Sequence, residues 1–166
     1  NWQVLCNGEY EFFESTHKCT GSHGYVNLND AMTMSCNIFF YEAVQKIRLD
    51  NLAKRSKALF HGLPTGIDLP NEMKGRVPDR AYMNKLYGTD GWSTGALLNI
   101  SIGQGEVLVT PVQMIAYINT IATYGNYNPI YIVKNEDRSA ISTSISKLTW
   151  KKINNYMRNV IIDQNG

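Results

Sequence analysis

A polar tripeptide, Ser35-Cys36-Asn37, separates two apolar runs of helical period, and this constrains the chain more than any other feature. The pattern turns helical at Leu28, with Asn27 or Asn29 as candidate caps, and a second run, IFFYEAVQKI (Ile38–Ile47), follows the tripeptide directly. Polar groups held between two apolar helices are costly unless they find partners. The chain must therefore turn a corner at residues 35–37 and supply those partners from elsewhere.

LDNLAKRSKALF (Leu49–Phe60) reads as a further helix, with Gly62 placed to end it. The clearest helix is TPVQMIAYINTIATYG (Thr110–Gly125). Thr110 is its N-cap, Pro111 takes the first helical position, Gln113 completes a capping box, and Gly125 is the expected left-handed terminator. Apolar residues cover most of its circumference, so it is expected to be buried. NPIYIV (Asn128–Val133) is a candidate strand, and TWKKINNYMRNVII a last helix with Ile153, Tyr156, Met157, Val160 and Ile161 on one face. The expected organisation is one partial domain: a polar, loop-rich segment 1–26, helices over 27–60, irregular loops over 61–109, then helices and a short strand over 110–166. Helices dominate and no large sheet is visible.

Composition narrows the function. In 166 residues the hydrophobic fraction is 43% and the charged fraction 18%, which suits a packed core. A net charge of +2, with no basic run interleaved with aromatics, argues against nucleic acid. No apolar run approaches a membrane span. NWQVLC does not read as a natural start nor IIDQNG as a natural stop, so a longer parent protein is expected.

Two serine motifs compete for a catalytic role. S-x-x-K occurs as STHK (Ser15–Lys18) and as SISK (Ser144–Lys147). A serine–lysine nucleophile needs its serine at the start of a buried helix, with both side chains on one face and the lysine desolvated. STHK runs into Cys19-Thr20-Gly21-Ser22-His23-Gly24, which is no helix, and SISK lies in polar surroundings that keep its lysine charged. Neither qualifies. SCN has the S-x-N form that accompanies S-x-x-K in penicillin-recognising enzymes.

Three blocks now carry a resemblance: HGYVNLNDAMTMSCNIFFYEAV (His23–Val44), GLPTGIDLPNEMKGRVP (Gly62–Pro78) and LLNISIGQGEVLVTPVQMIAYINTIATYGN (Leu97–Asn126). In this order and spacing they resemble the transpeptidase domain of class B penicillin-binding proteins, in the elongation-type branch of penicillin-binding protein 2. The match is dense from about Cys6 to Pro129 and looser beyond. The resemblance implies the helical lobe of the α/β penicillin-binding (serine transpeptidase, β-lactamase-like) fold, mainly α here, with most of the β-sheet missing.

It also implies a peptidoglycan D,D-transpeptidase that joins stem peptides through a serine acyl-enzyme and is acylated by β-lactams, with no cofactor for catalysis. Ser35 would pass protons between the nucleophile's base and the amine, and Asn37 would bind the substrate's amide carbonyl. The family's nucleophile is expected upstream of Asn1 and its K-T/S-G motif beyond Gly166, so the chain alone is expected to be inactive. The implied partners are stem peptides, β-lactams and scaffold proteins of cell-wall elongation. The implied location is the periplasmic side of the inner membrane, with the anchor outside this chain. GQG (Gly103–Gly105) and TPVQ are expected to support the groove. A β-lactam sensor domain shares the fold and the motifs, and a metal-stabilised structural module is a third reading; GIDLP and IGQG–TPVQ favour the transpeptidase.

If Ser35 and Asn37 both face a substrate groove, the tripeptide is not regular helix, where residues two apart diverge by about 200°. Cys36 then points inward. Cys19-x-x-x-His23 has the short spacing of structural zinc ligands, and Cys6 and Cys36 flank that pair at equal intervals. Cys6, Cys19, His23 and Cys36 form a candidate closed zinc site that uses every cysteine and anchors the loop-rich segment. The alternatives are a Cys6–Cys19 disulfide with Cys36 a buried thiol, His17 in place of one ligand, or three free thiols.

Overall fold

The computed structural model describes residues 2–89, 91–92, 94–134 and 139–166. They form two compact units: one of Asn1–Leu49, Asp79–Gly105 and Asn155–Gly166, the other of Asp50–Pro78 and Glu106–Asn154. Among the described residues no helix is long and apolar enough to cross a membrane.

The first unit begins with four short strands where loops are expected from sequence: β1 (Val4–Cys6), β2 (Glu9–Phe12), β3 (Ser15–Lys18) and β4 (Gly24–Val26). β2 and β3 form a tight antiparallel hairpin, from Glu9 opposite Lys18 to Phe12 opposite Ser15. β1 and β4 pair antiparallel around it, with Val4 opposite Val26 and Cys6 opposite Gly24. Three or four residues carry too little alternation to announce a strand. The hairpin turns at Phe13-Glu14 rather than at the Asn-Gly or Asp-Gly that would signal it, and Phe13 takes the left-handed φ of 52°.

Helix α1 (Leu28–Thr33) starts at Asn27, whose side chain accepts from the backbone of Asn29 and Asp30 while Asp30 reaches back to the Asn27 amide. Of the two candidate caps, Asn27 is the cap. Helix α2 (Asn37–Ile47) buries Ile38, Phe39, Tyr41 and Val44. After α3 (Leu49–Lys57), two further helices interrupt the 61–109 stretch expected to be irregular: α4 (Arg80–Tyr87) and α5 (Thr94–Ser101). The Asp79 carboxylate caps α4 by accepting from Tyr82 N–H, a signal that was readable, but Met83 is its only buried residue, so its apolar period is weak. α5 packs on α2 and buries Leu98 and Ile100.

α3 stops at Lys57 rather than Phe60. Phe60 itself, at φ 67°, makes the left-handed turn assigned above to Gly62, and His61 N–H donates to the Ser56 carbonyl. In the second unit α6 (Pro111–Ala122) has the expected Thr110–Gln113 capping box. Its left-handed terminator is Tyr124 (φ 54°), one residue before Gly125. Gly125 also has a positive φ, 97°, and it is required for space as well, because a Cβ there would meet the Trp150 indole and the Thr143 hydroxyl. α6 is less buried than expected: Met114, Ile115 and Ile118 are exposed.

Gln113, fully buried, is the polar hub of this unit. Its Nε2 lies 3.1, 2.7 and 2.7 Å from the Phe60, Leu63 and Lys74 carbonyls, and its Oε1 accepts from Thr110 N–H. The sequence TPVQ thus caps a helix and ties down the loops before it.

Residues 128–133 are not a strand. β5 (Asn126–Tyr127) instead pairs with β6 (Ile141–Ser142), and the Ile132 and Val133 amides donate to the Asp68 carboxylate. Helix α7 (Lys147–Ile162) forms as expected, although Ile161, assigned above to its apolar face, is 82% exposed.

Candidate transpeptidase site and Cys3His centre

The corner at residues 35–37 is a helix-ending turn followed at once by a helix start. α1 closes with Cys36 N–H donating to the Ala31 carbonyl at 2.8 Å and Ser35 N–H to the Met32 carbonyl at 3.4 Å. That is a Schellman pattern, in which the residue after the cap adopts the left-handed conformation and is normally glycine. Here it is Ser35, at φ 56°. A side chain in that conformation costs about 1 kcal/mol, and such strain gathers at functional positions. Cys36 is extended (φ −75°, ψ 103°) and serves as the N-cap position of α2 without a side-chain capping bond; Asn37 is the first helical residue.

The three side chains diverge as a result. Cys36 is wholly buried, while Ser35 is exposed and Asn37 half-exposed. Ser35 and Asn37 line one groove of about 340 Å³, together with Met32 and Phe40 and with Ser101 and Ile102 at the end of α5. The GQG segment forms the turn behind that wall: Gln104 N–H donates to the Asn99 carbonyl, and Gly103 and Gly105 take left-handed φ values of 76° and 66°. Asn37 Nδ2 donates to the Lys18 carbonyl at 3.3 Å. A carbonyl only accepts, so this contact fixes which way the carboxamide faces and leaves its second N–H and its oxygen for other partners. The loop after β3 is a part of the site that no motif announces.

Neither S-x-x-K motif has the geometry of a nucleophile. STHK is strand β3, with Ser15 and Lys18 both exposed, and in SISK Ser144 and Lys147 are exposed as well.

Cys6, Cys19, His23 and Cys36 converge from four places: the end of β1, the residue after β3, the residue before β4 and the N-cap of α2. Their ligand atoms all lie within 4.8 Å of one another. His23 Nδ1 is 3.4 Å from Cys6 Sγ and 3.7 Å from Cys19 Sγ, and Cys19 Sγ is 3.9 Å from Cys36 Sγ. Zinc bond lengths in a tetrahedron put sulfurs about 3.8 Å apart and a nitrogen about 3.6 Å from each sulfur. The four donors fit. All three cysteines are free, and His17 stands outside the set, its ring edge-on to Tyr41.

Electrostatics point the same way. Burial opposes ionisation of Cys19, yet backbone N–H groups of Ile38, Gly21 and Asn37 outweigh it and hold the thiol down at about 6. Asn37 N–H lies 3.2 Å from the sulfur, so Cys19 caps the positive end of α2. Burial first, then the neighbouring Cys6 and Cys19 sulfurs, push Cys36 up to about 12 against a lowering contact from the Phe39 backbone. Thiolates this close repel one another, and a divalent cation is the partner that would allow all three to ionise.

The model of the penicillin binding protein transpeptidase domain matches residues 6–166. The chain belongs to the penicillin-binding protein transpeptidase family. It is 29% identical over 137 residues to peptidoglycan D,D-transpeptidase MrdA of Haemophilus influenzae, covering 82% of this chain and 21% of that protein. It is 32% identical over 110 residues to MrdA of Acinetobacter baumannii, covering 66% of this chain and 16% of that one. Among solved structures, penicillin-binding protein 2 of Helicobacter pylori in complex with MreC superimposes with a TM-score of 0.91 at 29% identity, over all of this chain and 32% of that one. The chain thus spans about a fifth of the length of these curated relatives. The fold is that of a penicillin-binding transpeptidase, represented among the described residues by mainly helical structure with three two-stranded β pairs.

Proposed function

We propose that this chain is the S-x-N-bearing part of a peptidoglycan D,D-transpeptidase of the penicillin-binding protein 2 branch. The single observation that carries this reading is the corner: Ser35 and Asn37 share one groove while Cys36 between them is buried beside the Cys6, Cys19 and His23 side chains. The Ser35 hydroxyl passes a proton between the base of the nucleophilic serine and the departing or incoming amine. The remaining Asn37 N–H donates to the amide carbonyl of the stem peptide. The nucleophile belongs to an S-x-x-K outside these residues, and a K-T/S-G segment completes the groove.

Cys6, Cys19, His23 and Cys36 hold a zinc ion in a closed structural site. Zinc there supplies cross-linking of the strands to α2 rather than chemistry on substrate. The likeness to MrdA and to an MreC-bound penicillin-binding protein 2 supports a place in wall elongation, with an MreC-type scaffold partner and a position on the periplasmic side of the inner membrane.

Fluorescent penicillin tests this reading. The full-length parent protein should be labelled at a serine outside this chain, and Ser35→Ala should slow that labelling about 100-fold or more, as expected for loss of a proton-transfer group. The isolated chain should stay unlabelled. Peptide mass spectrometry that located the adduct on Ser15 or Ser144 would overturn it.

A further inference from the structure

We propose that Thr20 is a positioning residue for the transpeptidase, one that holds the backbone of Ser35 in its left-handed conformation; this rests on the role given to Ser35 above. The Thr20 hydroxyl lies 3.4 Å from the Met34 carbonyl and 3.2 Å from the Ser35 carbonyl. Those two carbonyls belong to the peptide groups on either side of Ser35. The orientations of these two peptide planes are what define its φ and ψ. Both oxygens only accept, so one hydroxyl proton is shared between them, which accounts for two longish contacts instead of a single short one.

A glycine would sit at φ 56° without help, whereas a serine there needs its surroundings to fix it. Thr20 does this from a fixed base. Its neighbour Cys19 belongs to the four-donor cluster and accepts Asn37 N–H, and Lys18 accepts Asn37 Nδ2. Three consecutive residues, Lys18-Cys19-Thr20, thus hold Ser35-Cys36-Asn37 by contacts to its two ends. Thr20 itself is exposed, so its hydroxyl supports no core.

The test uses the full-length, zinc-loaded parent protein, with fluorescent penicillin as the probe. Rapid mixing separates the pre-acylation dissociation constant from the acylation rate constant. Thr20→Val removes the hydroxyl at constant shape and should lower the acylation rate constant about fivefold, the scale of one shared hydrogen bond. The dissociation constant and the zinc content should stay unchanged, and the melting temperature should fall by no more than a few degrees. Thr20→Ser restores the hydroxyl and should restore the rate constant. An unchanged rate constant in Thr20→Val, a Thr20→Ser variant equally slow, or a slowing that tracks zinc loss would overturn the assignment. Ser35→Ala separates the two claims: if it is slow while Thr20→Val is normal, only the role of Thr20 fails, and if Ser35→Ala is itself normal, the role of Ser35 fails with it.

Discussion

Cys36→Ser is expected to abolish metal binding at the proposed zinc site and to unfold the strands of the first unit while leaving the second unit folded. The expectation follows from how little else holds those strands. Of β1 to β4 only Val4, Cys6 and Val26 are buried, while Leu5 and Tyr25, with Phe13 in the hairpin turn, are exposed; Tyr10 and Phe12 are half-buried, and the Tyr10 hydroxyl donates to Glu42 and accepts from Gln45. Burying so few apolar groups yields a few kcal/mol at about 25 cal/mol per Å². Ordering more than twenty residues costs at least about 1 kcal/mol each. A structural zinc contributes on the order of 10 kcal/mol at neutral pH, enough to decide the balance.

The substitution also leaves the other two sulfurs crowded with no cation between them. Hydrogen exchange resolved by segment checks this: amides of residues 4–26 should lose protection, and those around Gln113, whose side chain ties three carbonyls and one backbone amide together, should keep theirs. Retained metal and retained protection in the variant would contradict it. In the full-length protein penicillin acylation should fall as well, because Cys19 and its neighbours orient Asn37 and Ser35.

Ser35→Gly is expected to move stability and activity in opposite directions. Ser35 occupies the position of the Schellman turn that glycine fills at no steric cost. Glycine should therefore stabilise the fold by about 1 kcal/mol, read as a raised denaturation midpoint. The same change deletes the hydroxyl assigned to proton transfer, and penicillin acylation of the full-length protein should drop by about two orders of magnitude. Ser35→Ala serves as the control: it loses the hydroxyl and keeps the strain, so it should be as slow as the glycine variant without its stability. A Ser35→Gly variant less stable than the parent would mean that the turn is not strained; one that acylates normally would mean that the hydroxyl is not used. Retaining a strained serine where glycine fits better is the trade expected of a functional residue.

The legibility of the chain divides along physical lines. The tripeptide corner was readable because polar residues between apolar helices demand partners, and Cys36 does point inward as that argument required. The four-donor set was readable from residue type and spacing, since thiol and imidazole side chains at intervals of three and twelve have few structural uses. The Thr110–Gln113 box was readable because capping is a local interaction.

What escaped was settled by tertiary contact. Strands of three or four residues exist because they pair with one another and meet at the cysteine–histidine cluster, not because of their own propensity. Helix α4 buries one side chain, so its period is faint, and α5 is fixed by packing on α2. Phe60 and Tyr124 take left-handed turns at helix ends one or two residues before the glycines; Phe60 is held there by the tilted Tyr127 ring, with centroids 4.0 Å apart. Thr20 and the Lys18 carbonyl carried no signal at all, since their part in the site lies in where the loop after β3 runs.

The measurement that bears most directly on the account is metal analysis of the protein as isolated, combined with X-ray absorption at the zinc edge and intact mass. One zinc per chain, bound by three sulfurs and one nitrogen, is the predicted result, with all three cysteines slow toward a thiol reagent until a chelator is added. A chain free of metal, with a mass two hydrogens below the reduced value, would contradict it, because the corner at residue 36 would then hang on a disulfide or on nothing.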